Sequence, residues 1–104
     1  MVKVSVLYPN KAGAHFDAEY YVRTHMPMAA RLLGSAVKAI SVDIGLSGEA
    51  PGSHPPFAAM CAFTSETVED FMQAFMPVAG QLQGDIPNYT DIEPIIQVSE
   101  IRMG

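Results

Sequence analysis

A nine-residue stretch occurs twice, 50 residues apart, and this repeat constrains the fold more than any other feature of the chain. Met26-Pro27-Met28-Ala29-Ala30-Arg31-Leu32-Leu33-Gly34 matches Met76-Pro77-Val78-Ala79-Gly80-Gln81-Leu82-Gln83-Gly84 at five of nine positions. The same offset aligns Asp17 with Thr67, two residues suited to capping a helix. It also aligns Ala18, Tyr21, Val22 and His25 with Val68, Phe71, Met72 and Phe75. In a chain of 104 residues, a unit repeating at that offset fits twice, which points to a pseudo-twofold duplication of one small supersecondary unit.

The residue periodicities say what the unit is. Val2, Val4, Val6 and Tyr8 alternate with Lys3, Ser5 and Leu7, the pattern of a strand. After a loop over 9–16, Asp17 caps a helix expected to run to Leu33. Glu19 lies in its first turn, paired i,i+4 with Arg23, and Gly34 sits just past its end. A second strand covers Ile40 to Leu46, and the segment from Ser47 to Pro56, rich in proline and glycine, is a loop. Phe57 to Thr64 is apolar on both faces, as a covered central strand would be. A second helix, capped by Thr67, spans Val68 to Gln83 and places Val68, Phe71, Met72, Phe75, Ala79 and Leu82 at core spacing. Asp85-Ile86-Pro87-Asn88 is a turn, and Ile95 to Met103 is the last strand. The order βαββαβ describes a single α+β domain over residues 1–104, a ferredoxin-like sandwich with both helices on one face of the sheet. Pro27 and Pro77 are expected to bend the helices around that sheet.

Composition narrows the function classes. Hydrophobic residues make up 49% and charged residues 16%, against about 25% in an average domain, so part of the outer surface is expected to be covered by a second copy. The 6 basic and 11 acidic residues give a net charge of −5 with no basic cluster, which disfavours nucleic acid and anionic membranes as partners. Cys61 is the single cysteine, leaving no intrachain disulfide and no Cys/His metal framework. The longest apolar stretch, Phe57 to Phe63, is too short to span a bilayer, and strand alternation from Val2 leaves no leader pattern. A cytoplasmic protein is the expectation.

The repeat also singles out a residue for chemistry. His25 occupies the helical phase that Phe75 fills in the second unit, so it should face the sheet, where both ring nitrogens need partners. Tyr21 lies one turn earlier on the same face, and Tyr8 ends the neighbouring strand. An imidazole beside a tyrosine hydroxyl is suited to general acid–base work, and equally to a plain hydrogen-bonded place in the core. Tyr8, Tyr20 and Tyr21 read first as core or interface aromatics, though their hydroxyls would be the natural polar handles of an apolar pocket, with methionines such as Met26 as deformable lining or, more often, core filler. Cys61 has no evident activator and reads as an inert thiol. The spacing of His15, Asp17 and His25 fits no metal site, and neither GxGxxG nor a phosphate loop is present, so no cofactor is expected. The loop from the first strand to its helix cap is about five residues longer than its counterpart in the second unit, a common location for a site.

The runs Tyr8-Pro9-Asn10-Lys11-Ala12-Gly13, Phe16-Asp17, Tyr20-Tyr21 and Thr24-His25-Met26-Pro27-Met28 resemble the opening of the EthD family. The run from Asp85 to Ser99 resembles the carboxyl-terminal strand of that family, and Ala12 stands where many members carry proline. The resemblance spans essentially the whole chain. It implies a ferredoxin-like protomer that pairs into a dimeric α+β barrel, with a small-molecule pocket between each sheet and its helices or partner. It further implies an association with ethyl tert-butyl ether degradation beside an oxygenase, or with cofactor-free decarboxylases and oxygenases. Three readings follow. The first is a protein binding a small apolar organic ligand in catabolism, with Tyr8, Asn10, Tyr20 and Met26 as ligand contacts. The second is a cofactor-independent decarboxylase, isomerase or oxygenase in which His25 moves a proton and Tyr21 polarises the substrate. The third is a non-catalytic assembly module sharing the barrel.

Overall fold

The computed structural model describes residues 1–104. Four strands, β1 (Val2–Pro9), β2 (Ala39–Ile44), β3 (Phe57–Ser65) and β4 (Ile95–Glu100), form one antiparallel sheet in the order β2-β3-β1-β4. The first helical arm comprises α1 (Ala18–Tyr20), a π-helical turn (Tyr21–His25) and α2 (Met26–Leu33). The second comprises α3 (Val68–Phe75), a 3-10 turn (Met76–Val78) and α4 (Ala79–Asp85). Both arms pack on the same face of the sheet, giving the α+β sandwich that the periodicities describe.

Alternation decides which side chains meet the helices. Val4, Tyr8, Ala59, Cys61 and Phe63 point into the core and pack with Tyr21, Met26, Ala29, Leu33, Phe71 and Leu82. The caps form as expected: the Asp17 carboxylate accepts from the Tyr20 N–H, and the Thr67 hydroxyl accepts from the Asp70 N–H. Gly34 ends α2 at a φ of +61°, a backbone conformation that an L side chain resists.

Several expectations are corrected. Neither helix is continuous, because each proline breaks its arm rather than only bending it. Proline has no N–H, and its ring crowds the carbonyl four residues earlier. Ahead of Pro27 the helix widens, so that the Met26 N–H bonds to the Tyr21 carbonyl five residues back. At Pro77 the chain tightens into the 3-10 turn instead. Val68 and Met72, expected in the core, are substantially exposed on the outer side of α3. β2 ends at Ile44, not Leu46, although the Gly45 N–H still donates to the Ala58 carbonyl; a Cβ at Gly45 would collide with the Phe57 carbonyl oxygen. β4 ends at Glu100, not Met103.

The opposite face of the sheet carries no helix. Its middle row reads Gln97, Ser5, Ala62 and Ser41 across the strands, flanked by Ile95, Leu7, Met60 and Asp43 on one side and Ser99, Lys3, Thr64 and Ala39 on the other. Small and apolar groups dominate it. No helix of the chain is long and apolar enough to cross a membrane.

Candidate functional site

The π-helical turn delivers two residues to one place. Tyr21 and His25 stack with ring centroids 5.7 Å apart and planes 13° from parallel, and both are buried beneath the helical layer. A π turn inside an α-helix recurs at functional sites because it re-aims the side chains it carries. They face Tyr8 at the end of β1 and Tyr89 from the segment before β4.

Tyr89 is held there by the long first loop. The Asp17 N–H donates to the Tyr89 carbonyl at 2.7 Å, the Thr90 hydroxyl donates to the His15 carbonyl, and the His15 N–H donates to the Asp91 carboxylate at 2.9 Å. Phe16 from the same loop packs its edge on Tyr8, Tyr21 and Tyr89, closing an aromatic cluster.

The polar atoms of the cluster form a chain. Asp85, the last residue of α4, places its Oδ2 2.9 Å from His25 Nδ1. Its Oδ1 accepts from the Tyr20 hydroxyl at 2.7 Å and from the Asn88 amide at 2.9 Å. Burial opposes ionisation of Asp85, but the hydrogen bonds from Tyr20, Asn88 and His25 outweigh it and hold the carboxyl below its ordinary value. A carboxylate only accepts, so His25 Nδ1 must carry a hydrogen, and in the neutral imidazole Nε2 is bare. The Tyr89 hydroxyl lies 3.5 Å from that Nε2, and the Tyr8 and Tyr89 hydroxyls bond to each other at 2.5 Å. Burial pushes the hydroxyls of Tyr8, Tyr21 and Tyr89 up from their ordinary values, so all three stay protonated at neutral pH. Burial raises the Cys61 thiol likewise, which keeps it from acting as a thiolate nucleophile.

Beside this chain lies a cleft of about 400 Å³ between the sheet and the two helical arms. Val6, Cys61, Phe63 and Ile96 form its sheet wall, Phe75, Leu82 and Ile86 its second-arm wall, and Tyr8, Tyr21, His25 and Met26 its polar end. Pro94 and the exposed Gln83 and Glu93 complete the lining. The Tyr21 hydroxyl is buried beside the Tyr8 hydroxyl and the Cys61 thiol but meets neither in hydrogen-bonding geometry.

Of the residues singled out in the sequence, His25, Tyr21, Tyr8 and Met26 therefore meet on one cleft. His25 and Phe75, equivalent in the repeat, line it together. Tyr20 stands one step behind, bound to Asp85 rather than to the cleft. Asn10 is not brought to it; its amide donates to the Pro55 carbonyl and ties the first loop to the one before β3. Sequence reasoning missed Asp85 and Tyr89. Asp85 lay in what read as a turn, 60 residues from His25, and no local pattern in the sequence pairs the two. No group of three His, Cys, Asp or Glu side chains is assembled that could hold a metal ion.

A four-stranded antiparallel sheet with both helical arms on one face defines a ferredoxin-like α+β fold. The EthD domain model matches residues 14–93, and the chain belongs to the EthD family. It is 46% identical to an EthD-like protein from Ralstonia eutropha JMP134 of known crystal structure, with a TM-score of 0.94 over 98% of this chain and 92% of that one. An ethyl tert-butyl ether degradation (EthD) family protein from Bacillus halodurans C-125 superposes with a TM-score of 0.67 at 21% identity, over 97% and 98% of the two chains. A putative monooxygenase from Shewanella loihica PV-4 shares the fold at a TM-score of 0.63 and 10% identity, over 99% and 95%. No curated protein matches the sequence.

Proposed function

We propose that the protein binds a small apolar organic molecule in the cleft beside His25 and serves in the degradation of a hydrophobic compound, working as a homodimer. The observation that carries the reading is a cleft of ligand size, mostly apolar, with a few convergent polar groups at one end. Membership of a family named for ether degradation agrees with it. Native mass spectrometry of gently purified protein tests it. A dimer carrying a discrete small-molecule adduct is expected, with the adduct lost on filling the cleft by Cys61→Trp. A protein that retains no adduct and binds none from a panel of apolar organic compounds would overturn the reading.

The Asp85–His25–Tyr89 line favours a second reading, a cofactor-independent enzyme in which His25 transfers a proton. Asp85 fixes the tautomer and the ring orientation, and Tyr21, the one buried hydroxyl without a partner, is the group free to polarise a ligand carbonyl. His25→Gln is then expected to abolish turnover while changing ligand affinity little. Turnover that survives the change would leave binding alone.

A further inference from the structure

We propose that the cleft selects a neutral, largely apolar molecule presenting one acidic hydrogen, either a phenolic hydroxyl or a C–H beside a ketone, and that it excludes carboxylates and other anions. The inference rests on the small-molecule reading of the cleft and adds the ligand's charge and polarity.

Hydrogen-bond order gives the polarity. Asp85 accepts from Nδ1, and in the neutral form of the ring this leaves Nε2 as an acceptor. Tyr89 has one hydroxyl hydrogen, and directing it at Nε2 leaves its oxygen to accept from Tyr8. The single hydrogen of Tyr8 is thereby committed inward, and Tyr8 lines the cleft. What its oxygen has left for a ligand is a lone pair. The polar end of the cleft thus asks for a hydrogen rather than offering several.

Charge gives the exclusion. No lysine or arginine lines the cleft, and all six such residues of the chain, Lys3, Lys11, Arg23, Arg31, Lys38 and Arg102, are exposed elsewhere. The charged groups near a ligand are Glu93 on the lining and Asp85 behind His25, both acidic. A carboxylate would leave water for a site whose only buried free donor is the neutral Tyr21 hydroxyl, at a cost that grows as the local dielectric falls. Ten of the 14 lining residues are hydrophobic, which suits the remainder of an aromatic or aliphatic ligand.

The same order supports one balanced proton transfer. The ligand's C–H or O–H bond breaks and an O–H bond forms on Tyr8. The former Tyr8 hydrogen passes to Tyr89, and that of Tyr89 passes to Nε2. The products are an enolate or phenolate and an imidazolium paired with Asp85, with no other reactant; this anion, unlike an entering carboxylate, forms together with a cation two hydroxyls away. Return of the proton to a different carbon makes the reaction an isomerisation, whereas a decarboxylation would require the anion the cleft disfavours.

Three probes of one shape test the proposal on the full chain at pH 7 by isothermal titration: 2-naphthol, 2-methoxynaphthalene and 2-naphthoate. The naphthol is expected to bind at least about tenfold more tightly than the naphthoate and several-fold more tightly than the ether. Tyr8→Phe, its fold checked by circular dichroism, is expected to abolish the preference, bringing the ratio of naphthol to ether affinity to about one. Naphthoate binding as tightly as the naphthol overturns the charge exclusion. Ether binding equal to naphthol, or a Tyr8→Phe protein that still prefers naphthol, overturns the acceptor polarity. Silence from all three probes would instead sink the small-molecule reading beneath it.

Discussion

Tyr21 and His25 share one turn of helix and one wall of the cleft, yet their polar atoms are satisfied to opposite degrees. Both ring nitrogens of His25 have partners, whereas the Tyr21 hydroxyl is buried without one. An unpaired buried hydroxyl is destabilising, and proteins tend to keep such groups where function needs them. Tyr21→Phe is therefore expected to stabilise the fold by about 1 kcal/mol, raising the unfolding midpoint by about 4–5 °C in a domain of this size. The same change should weaken binding of a ketone such as 2-acetonaphthone about fivefold, the worth of one neutral hydrogen bond. Calorimetry with and without the ketone reads both effects, and a destabilised variant with unchanged affinity would show that the hydroxyl serves the core. Asp85 gives a second prediction at this scale. Its folded value lies below the ordinary 3.8, so the folded state holds fewer protons than the unfolded chain around that pH. The stabilisation is fully present above about pH 5 and is lost as pH falls through the folded value. Urea unfolding between pH 7 and pH 2 should show this loss, with a shallower acid limb in Asp85→Asn; Asp91, held down by the His15 N–H, contributes in the same direction.

Elements were legible in the sequence where periodicity and caps govern them, and illegible where a proline changes the helix type. Asp17, Thr67 and Gly34 mark helix ends correctly because capping is a local interaction. The replacement of α-helix by a π turn before Pro27 and by a 3-10 turn at Pro77 depends on how each arm is pressed against the sheet, and the matching Met-Pro pairs carry no sign of that difference. At the site, His25 was found because the repeat gave its helical phase, while Asp85 and Tyr89 reach it through tertiary packing that no short-range pattern encodes. Two substitutions separate local from long-range roles. Thr67→Ala removes the α3 cap and should cost about 1 kcal/mol in denaturant unfolding with ligand affinity unaltered. Pro27→Ala restores an N–H at the wide turn and allows regular α-helical bonding to resume. Helix content should hold or rise while the Tyr21–His25 stack shifts and affinity for 2-naphthol falls. Unchanged affinity would mean that packing against the sheet, not Pro27, maintains the π turn.

At the scale of the molecule, the chain is a slab measuring 39 × 32 × 19 Å, thick enough for one sheet and one helical layer. Only 16 of its 104 residues are buried, so the helices shield one side and the core gains nothing from the other. On that other side Ala58, Met60 and Ala62 of β3 face outward among Ser5, Leu7 and Ser41, with Lys3 and Asp43 near the margins. On the edge strand the exposure extends to the helical side, where Ile96 and Val98 are about half exposed although they point toward the core layer, and Ile96 also lines the cleft. A monomer would thus leave a sheet face of small and apolar groups wet and the cleft open along β4, surfaces suited to a second copy. A second copy laid sheet to sheet removes the first cost, since small side chains permit close approach, and reaching around β4 it would narrow the second. Ala62 tests this because it stands in the middle row between Ser5 and Ser41, where a partner's sheet must come nearest. Light scattering on the native protein should give twice the 11.2 kDa chain mass, and Ala62→Lys should give the monomer with its helices intact by circular dichroism. If the two sheets also enclose the cleft, the lysine variant will bind 2-naphthol more weakly, although residue 62 points away from the cleft lining. A native protein that is monomeric at micromolar concentration would require the sheet face to meet some other surface, and the cleft would then have to hold its ligand with the β4 side open.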